Sequence, residues 1–204
     1  MKKIYLVLLA LCFSVGVVAQ NEYESQFMRF YLPDCTGSPF PTSVDTYIVV
    51  SEHGQMYVKI HANFAYNAAE LSYFQKYAIP KGSNIFFKLD NGEVMTFTCS
   101  IDKNVKDGLV TTNNGVYQNY SGYSYFPIDE AAIDKLREHN IIKIRGQFTS
   151  EIMDGSLQFT PESNMPETKV KFSEAEQIIM QKYNTAKNRS DEQKVLEQNP
   201  LYNF

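Results

Sequence analysis

The stretch NIFFKLDNGEVMTFTCSI, Asn84–Ile101, decides the fold. Apolar and polar residues alternate along both of its arms, which is the pattern of a half-buried β-hairpin. The turn residues Asp90-Asn91-Gly92 leave two registers open. A two-residue Asn91-Gly92 loop pairs Leu89 with Val94 and Phe87 with Thr96. A three-residue loop, a type I turn followed by a left-handed Gly92, pairs Lys88 with Val94 and Phe87 with Met95. The second register gathers Ile85, Phe87, Leu89, Met95, Phe97, Cys99 and Ile101 on one face; the first divides them. A slip of one residue is costly wherever one face is buried, so the three-residue loop is expected. Burying these side chains contributes roughly 10–20 kcal/mol before the cost of ordering the chain.

Upstream, the chain begins with a leader pattern. Lys2 and Lys3 precede the short apolar run Ile4–Phe13, and Val17-Val18-Ala19 places small residues before Gln20. This predicts a secretory signal peptide over residues 1–19, cleaved after Ala19. The apolar run is short for a membrane span. Leu11 before Cys12 argues against lipid attachment, which wants a small residue there. Without Lys2 and Lys3 the chain carries 17 basic and 23 acidic residues, a net charge of about −6. It has no basic tract able to neutralise a run of phosphates, which argues against nucleic acid as a partner. No second apolar span follows, so no transmembrane anchor is expected after cleavage. Cys35 and Cys99 are the two cysteines left, and an oxidising compartment would allow a disulfide between them. Cys99 equally suits a free thiol, since it sits on the apolar hairpin face.

Between the leader and the hairpin, Glu22–Leu32, Val44–Val50 and Gln55–Ala62 read as strands, the last two around the turn Ser51–Gly54. Alternation in the third turns His61 away from the apolar side. Asn67–Tyr77 carries helical spacing with Asn67 as cap, and Tyr73, Phe74 and Tyr77 would also suit a strand; the helix is the favoured reading. Downstream, Asp102–Asn119 is polar and reads as a long surface loop, with room for a short strand near Leu109–Thr111. Asp129 caps the clearest helix, with Ile128 and Ile133 as its hydrophobic staple and Ala132, Ile133 and Leu136 as its buried stripe. Asn140 suits its left-handed stop. Ile141–Phe148 is a strand, and Ser156–Thr160 a short one. Ser173 and Glu176 form a capping-box pattern for a second helix, with Ala175, Ile178, Ile179 and Tyr183 as its apolar stripe. Beyond Asn184 the sequence turns polar and fraying is expected. The fold class is therefore α+β, mainly antiparallel β-sheet, with one inserted helix and a C-terminal helix. The expected division is a leader over 1–19, a β-rich domain over 20–172, and a helix and tail over 173–204.

The run YFPIDEAAIDKLREHNIIKIR (Tyr125–Arg145), preceded by FFKLDNGEVMTFTC, resembles a pattern in small exported proteins of Gram-negative gut anaerobes. The likeness covers Asn84 to Gln147. It implies a β-rich exported fold and brings no activity and no site residues.

The chemistry offered by the chain is sparse. His53, His61 and His139 fall in a turn, on a strand and at a helix end, with no HxxxH or CxxC spacing, so no metal and no cofactor is expected. GxSxG, GxxxxGK[ST] and GxGxxG are all absent. Asp129, Glu130 and Asp134 sit where carboxylates complement a helix dipole. Lys88, Lys143 and Arg145 lie on polar strand faces, where they form a basic strip or simply a solvated, edge-protecting surface. Tyr117, Tyr120 and Tyr123, interleaved with small polar residues, are the candidate binding residues. Their spacing by three suggests an exposed loop patch for an unknown protein or glycan. The expectation is an exported protein, periplasmic or secreted, with a non-catalytic binding or structural role in the cell envelope. An inhibitor or immunity-type protein that binds a protein partner is the alternative, and an exported enzyme a more distant one.

Overall fold

The central hairpin has the expected register. In a computed structural model of the chain, β4 (Asn84–Leu89) pairs with β5 (Val94–Thr98), Phe87 opposite Met95 and Lys88 opposite Val94. Gly92 has φ +89°, its N–H reaches Leu89 O, and Leu89 N–H reaches Glu93 O, which closes the three-residue loop. Ile85, Phe87, Leu89, Met95, Phe97 and Cys99 are all buried. Ile101 departs from the expectation. It is half-buried, belongs to the next strand, and pairs with Tyr125.

The structure describes residues 23–33, 43–67, 78–112, 115–149, 154–161 and 167–197. The leader, Cys35, and all but the first residue of the helix expected over Asn67–Tyr77 lie outside the described residues. The other elements are β1 (Tyr23–Tyr31), β2 (Ser43–Val50), β3 (Met56–Asn67), β6 (Ile101–Thr112), β7 (Gly115–Pro127), α1 (Glu130–Glu138), β8 (Ile141–Thr149), β9 (Asp154–Pro161) and α2 (Thr168–Glu197). The strands form one antiparallel nine-stranded sheet in the order β5-β4-β8-β9-β1-β2-β3-β7-β6, so the chain is α+β and mostly β. Among the described residues no helix is long and apolar enough to cross a membrane.

The two edge strands of this sheet are consecutive in the chain. Laid flat at about 4.8 Å per strand, nine strands would put the edges roughly 38 Å apart. The link from Thr98 to Ile101 spans at most about 11 Å. The sheet is therefore rolled. Cys99 still bonds to the β4 side, through Ser83 O and Gly82 N–H, while Ser100 N–H already bonds to Tyr125 O of β7. Inside the roll one apolar core collects residues from β1 to β9, including Phe30, Ile48, Val58, Phe87, Phe126, Ile144 and Phe159. Ala78 and Ile79 are buried too. Ser124 Oγ accepts from Ile79 N–H at 2.8 Å and donates to Ile79 O at 2.9 Å. A Cβ on Gly146 of β8 would stand 2.6 Å from Ile79 Cδ1, so the missing side chain makes room for that isoleucine.

The polar stretch expected to be a loop over Asp102–Asn119 is instead the β6–β7 hairpin, with Thr112 paired to Gly115. Pairing on both sides of β7, with β3 and β6, outweighs its weak apolar pattern. A register shift between Lys106 and Leu109 of β6 breaks the alternation further.

The first helix agrees with its signals. Asp129 Oδ1 accepts from Ala132 N–H at 2.8 Å, and Ala132, Ile133 and Leu136 are buried. It ends on His139 in extended backbone. Asn140 then acts as a joint: its N–H meets Asp90 Oδ2 and its Oδ1 accepts from Lys169 N–H. The second helix starts earlier than expected, at Thr168, whose hydroxyl accepts from Ile141 N–H. Ser173 is inside the helix and donates to Lys169 O, and Glu176 holds Arg137 of α1 with two hydrogen bonds in place of a capping box. Phe172, Ala175 and Ile179 are its buried face, while Ile178 is exposed. The helix runs unbroken past Asn184 to Glu197.

Candidate binding face

Alternation along three neighbouring strands puts a set of rings on the outward side of the roll. On β3, Met56, Val58, Ile60 and Ala62 face the core, leaving Tyr57, Lys59 and His61 on the other side. On β2 the outward set is Asp45, Tyr47 and Val49, and on β7 it is Ser121, Tyr123 and Tyr125. The ladders then set Lys59 directly between Tyr47 and Tyr125, and His61 between Asp45 and Tyr123.

Lys59 is the centre of this face, and it is only 7 % exposed. Its Nζ lies 4.6 Å from the ring centre of Tyr123, 5.2 Å from that of Tyr47 and 5.5 Å from that of Tyr125. Each such contact contributes on the order of 0.5–2 kcal/mol, more as water is excluded. Glu24 of β1 forms an ion pair with the same ammonium. A buried cation without a carboxylate would be costly, and Glu24 and the ring faces together offset that cost. The rings fix one another. His61 stacks on Tyr123 at 4.5 Å with 6° between planes, and Tyr57 meets Tyr125 edge-on at 6.5 Å. Arg29 and Asp45 close the border with a two-bond pair at 2.6 and 2.9 Å. Burial, then the charges of Asp45 and Glu24, push the Tyr47 phenol above its ordinary pKa, so it stays a neutral donor at physiological pH. Tyr47, Tyr57 and Tyr123 remain partly exposed.

Of the three tyrosines expected to bind, only Tyr123 has a described side chain, and it belongs to this face. Tyr117 and Tyr120 are placed by backbone alone, opposite Asn67 and Phe64 of β3, and their side chains lie outside the described residues. The segment is a strand and not the expected loop, and along its backbone position 120 is out of phase with 117 and 123. Tyr125 and Phe126, next to the helix cap, are buried. Lys59, Tyr47 and Glu24 were not singled out by sequence. The Tyr57-Lys59-His61 alternation was visible, but its partners become evident only once the strand order is known.

Elsewhere, Cys99 carries a free, buried thiol within hydrogen-bond reach of Ile79 O and Ile101 O, and burial pushes its pKa up; Cys35, the partner considered for it, lies outside the described residues. An open groove of about 790 Å³ runs between β5 and the start of α1, lined in part by Met95, Phe97, Ile128 and Ala132. Among the described residues no group of three or more His, Cys, Asp or Glu is placed to hold a metal ion. No protein-family model, curated protein or solved structure matches the chain.

Proposed function

We propose that this is an exported, non-catalytic binding module of the cell envelope, and that it contacts a protein partner through the outward face of β2, β3 and β7. One observation carries the reading: the half-exposed rings of Tyr47 and Tyr123 are held in place around the Lys59–Glu24 ion pair. Rigid tyrosines give a large contact area at low entropic cost, and neighbouring hydrogen-bonding groups add specificity. His61 and the Arg29–Asp45 pair supply those groups. Export is supported by the lysine-led apolar run and the small residues before Gln20.

The test uses immobilised wild-type protein, Tyr47→Ser, Tyr123→Ser and Lys187→Gln, each exposed to periplasmic extract of the source cell. Support is one discrete partner kept by wild type and Lys187→Gln and lost by both tyrosine variants, all four showing native circular dichroism. Equal retention by the tyrosine variants would reject the face, and catalytic turnover in any broad hydrolase screen would reject the class.

A further inference from the structure

Lys88, Lys143 and Arg145 come together on the outward side of the other half of the sheet. Lys88 and Lys143 are register partners across β4 and β8, and Arg145 lies two residues along, opposite Phe86. All three cations are exposed. Among the described residues none of them makes an ion pair. Arg145 donates only to the Ser156 hydroxyl, at 3.0 Å. Arg29, Lys59, Lys135 and Arg137 each hold a carboxylate, whereas the strip, like exposed Lys81, Lys182, Lys187 and Arg189, holds none among the described residues; what sets the strip apart is that its cations stand together across two paired strands.

Two structural explanations are available, and the topology removes one. Lysines often guard the open edges of sheets against pairing with another chain. β4 and β8 are interior strands, with β5 and β9 outside them, so there is no edge here to guard. The other is plain solvation, but like charges set directly opposite on a sheet repel and weaken it. A chain whose net charge is −4 has acids to spare, yet the nearby carboxylates of Asp90 and Glu93 are turned to Asn140, His139 and Lys135 rather than to the strip. Uncompensated cations in register are what an anionic ligand would use.

We infer that this strip docks a linear acidic polysaccharide, its carboxylate or sulfate groups meeting Lys88, Lys143 and Arg145. The neighbouring outward positions suit a sugar chain. Thr96 and Gln158 can exchange hydrogen bonds with hydroxyls, and half-buried Phe86 offers an apolar ring edge. The shape selects a chain over a membrane. The roll presents this face as a convex surface, which touches a flat bilayer along a narrow line but lets a flexible polymer run across its strands. This strip and the tyrosine face occupy different strands, so either reading can fail alone.

The experiment measures binding of the full folded chain to polygalacturonate and to dextran sulfate at low salt. Parallel arms use phosphatidylglycerol vesicles and single-stranded DNA. The variants are Lys88→Gln/Lys143→Gln and, as a control with the same change in charge, Lys182→Gln/Lys187→Gln on exposed α2. The expected result is salt-sensitive binding to at least one polysaccharide that the strip variant weakens about tenfold or more and the control leaves unchanged. Absence of binding to both polysaccharides overturns the inference, as does an equal loss in both variants. Vesicles or DNA bound as tightly as the polysaccharide would overturn the choice of a glycan.

Discussion

Ser124→Ala removes one oxygen from the inside of the roll. That oxygen serves both backbone groups of Ile79, accepting from the N–H and donating to the C=O. Both residues are shut off from water: Ser124 is 1 % exposed and Ile79 is 0 % exposed. The two losses are unequal. Ile79 O keeps the thiol of Cys99 as a donor at 3.3 Å, whereas its N–H has only the serine among the described partners. An orphaned buried N–H costs about 1–3 kcal/mol, and the second bond adds roughly 1, so the variant should lose about 2–4 kcal/mol. Urea unfolding followed by tyrosine fluorescence suits a chain with 14 tyrosines and no tryptophan. The slope with urea should stay the same while the midpoint falls. A loss under about 0.5 kcal/mol, the range of ordinary surface substitutions, would refute the reasoning. It would mean that Ile79 is not held by β7.

Gly146→Ala places a methyl 2.6 Å from Ile79 Cδ1 in a packed core and should destabilise by about 1–3 kcal/mol, with Gly92→Ala as a comparison at a position that has open space but positive φ; an unchanged melting temperature for Gly146→Ala would contradict the packing. Cys99 should react with a thiol reagent only after denaturant is added, since burial raises its pKa and keeps it protonated at neutral pH; a Cys35→Ser chain isolates the signal, and fast labelling of the folded protein would be the contrary outcome. Asp90 is held below its ordinary pKa of 3.8, chiefly by the Asn140 N–H. The stability it adds is therefore present above about pH 4 and lost as pH falls through the lowered value. Asp90→Asn should flatten the unfolding midpoint between pH 4 and lower pH relative to wild type; parallel curves would rule out this role. Leu136→Ala should cost roughly 2–5 kcal/mol by urea unfolding, because the side chain is buried between helix and sheet; no loss would put that stripe in water.

The parts of the fold that sequence revealed are those whose signals are local. The Asp90-Asn91-Gly92 turn and the apolar face of β4–β5 specify each other, and Asp129 with Ile128 and Ile133 specifies the first turn of α1. The misread parts depend on remote partners. β6 and β7 are polar in composition, and what makes them strands is β3, which pairs with β7 along its length. Ser173-x-x-Glu176 matches a capping box by letter, but Glu176 is turned to Arg137 and the helix is anchored five residues earlier through Thr168 and Ile141. The binding face has the same character. Lys59, Tyr47 and Tyr123 sit on three strands and meet through register alone, so no spacing along the chain announces them.

The strand order also governs how the sheet can be assembled during synthesis. Among the described residues, the β5-β4-β8-β9 and β1-β2-β3-β7-β6 halves are joined by a single ladder, Phe30 with Pro161 and Tyr31 with Thr160. The first strand made thus waits for the last one. Until Asp154–Pro161 has emerged, β1 keeps an open flank, and the β4–β5 hairpin lacks its neighbour until β8 follows it. A chain emerging from the ribosome meets its distant partners late, and unpaired strands in that interval are prone to aggregate. Such a topology favours a polypeptide that is kept unfolded by its handlers and released whole, with the closing of the roll left to the final strand.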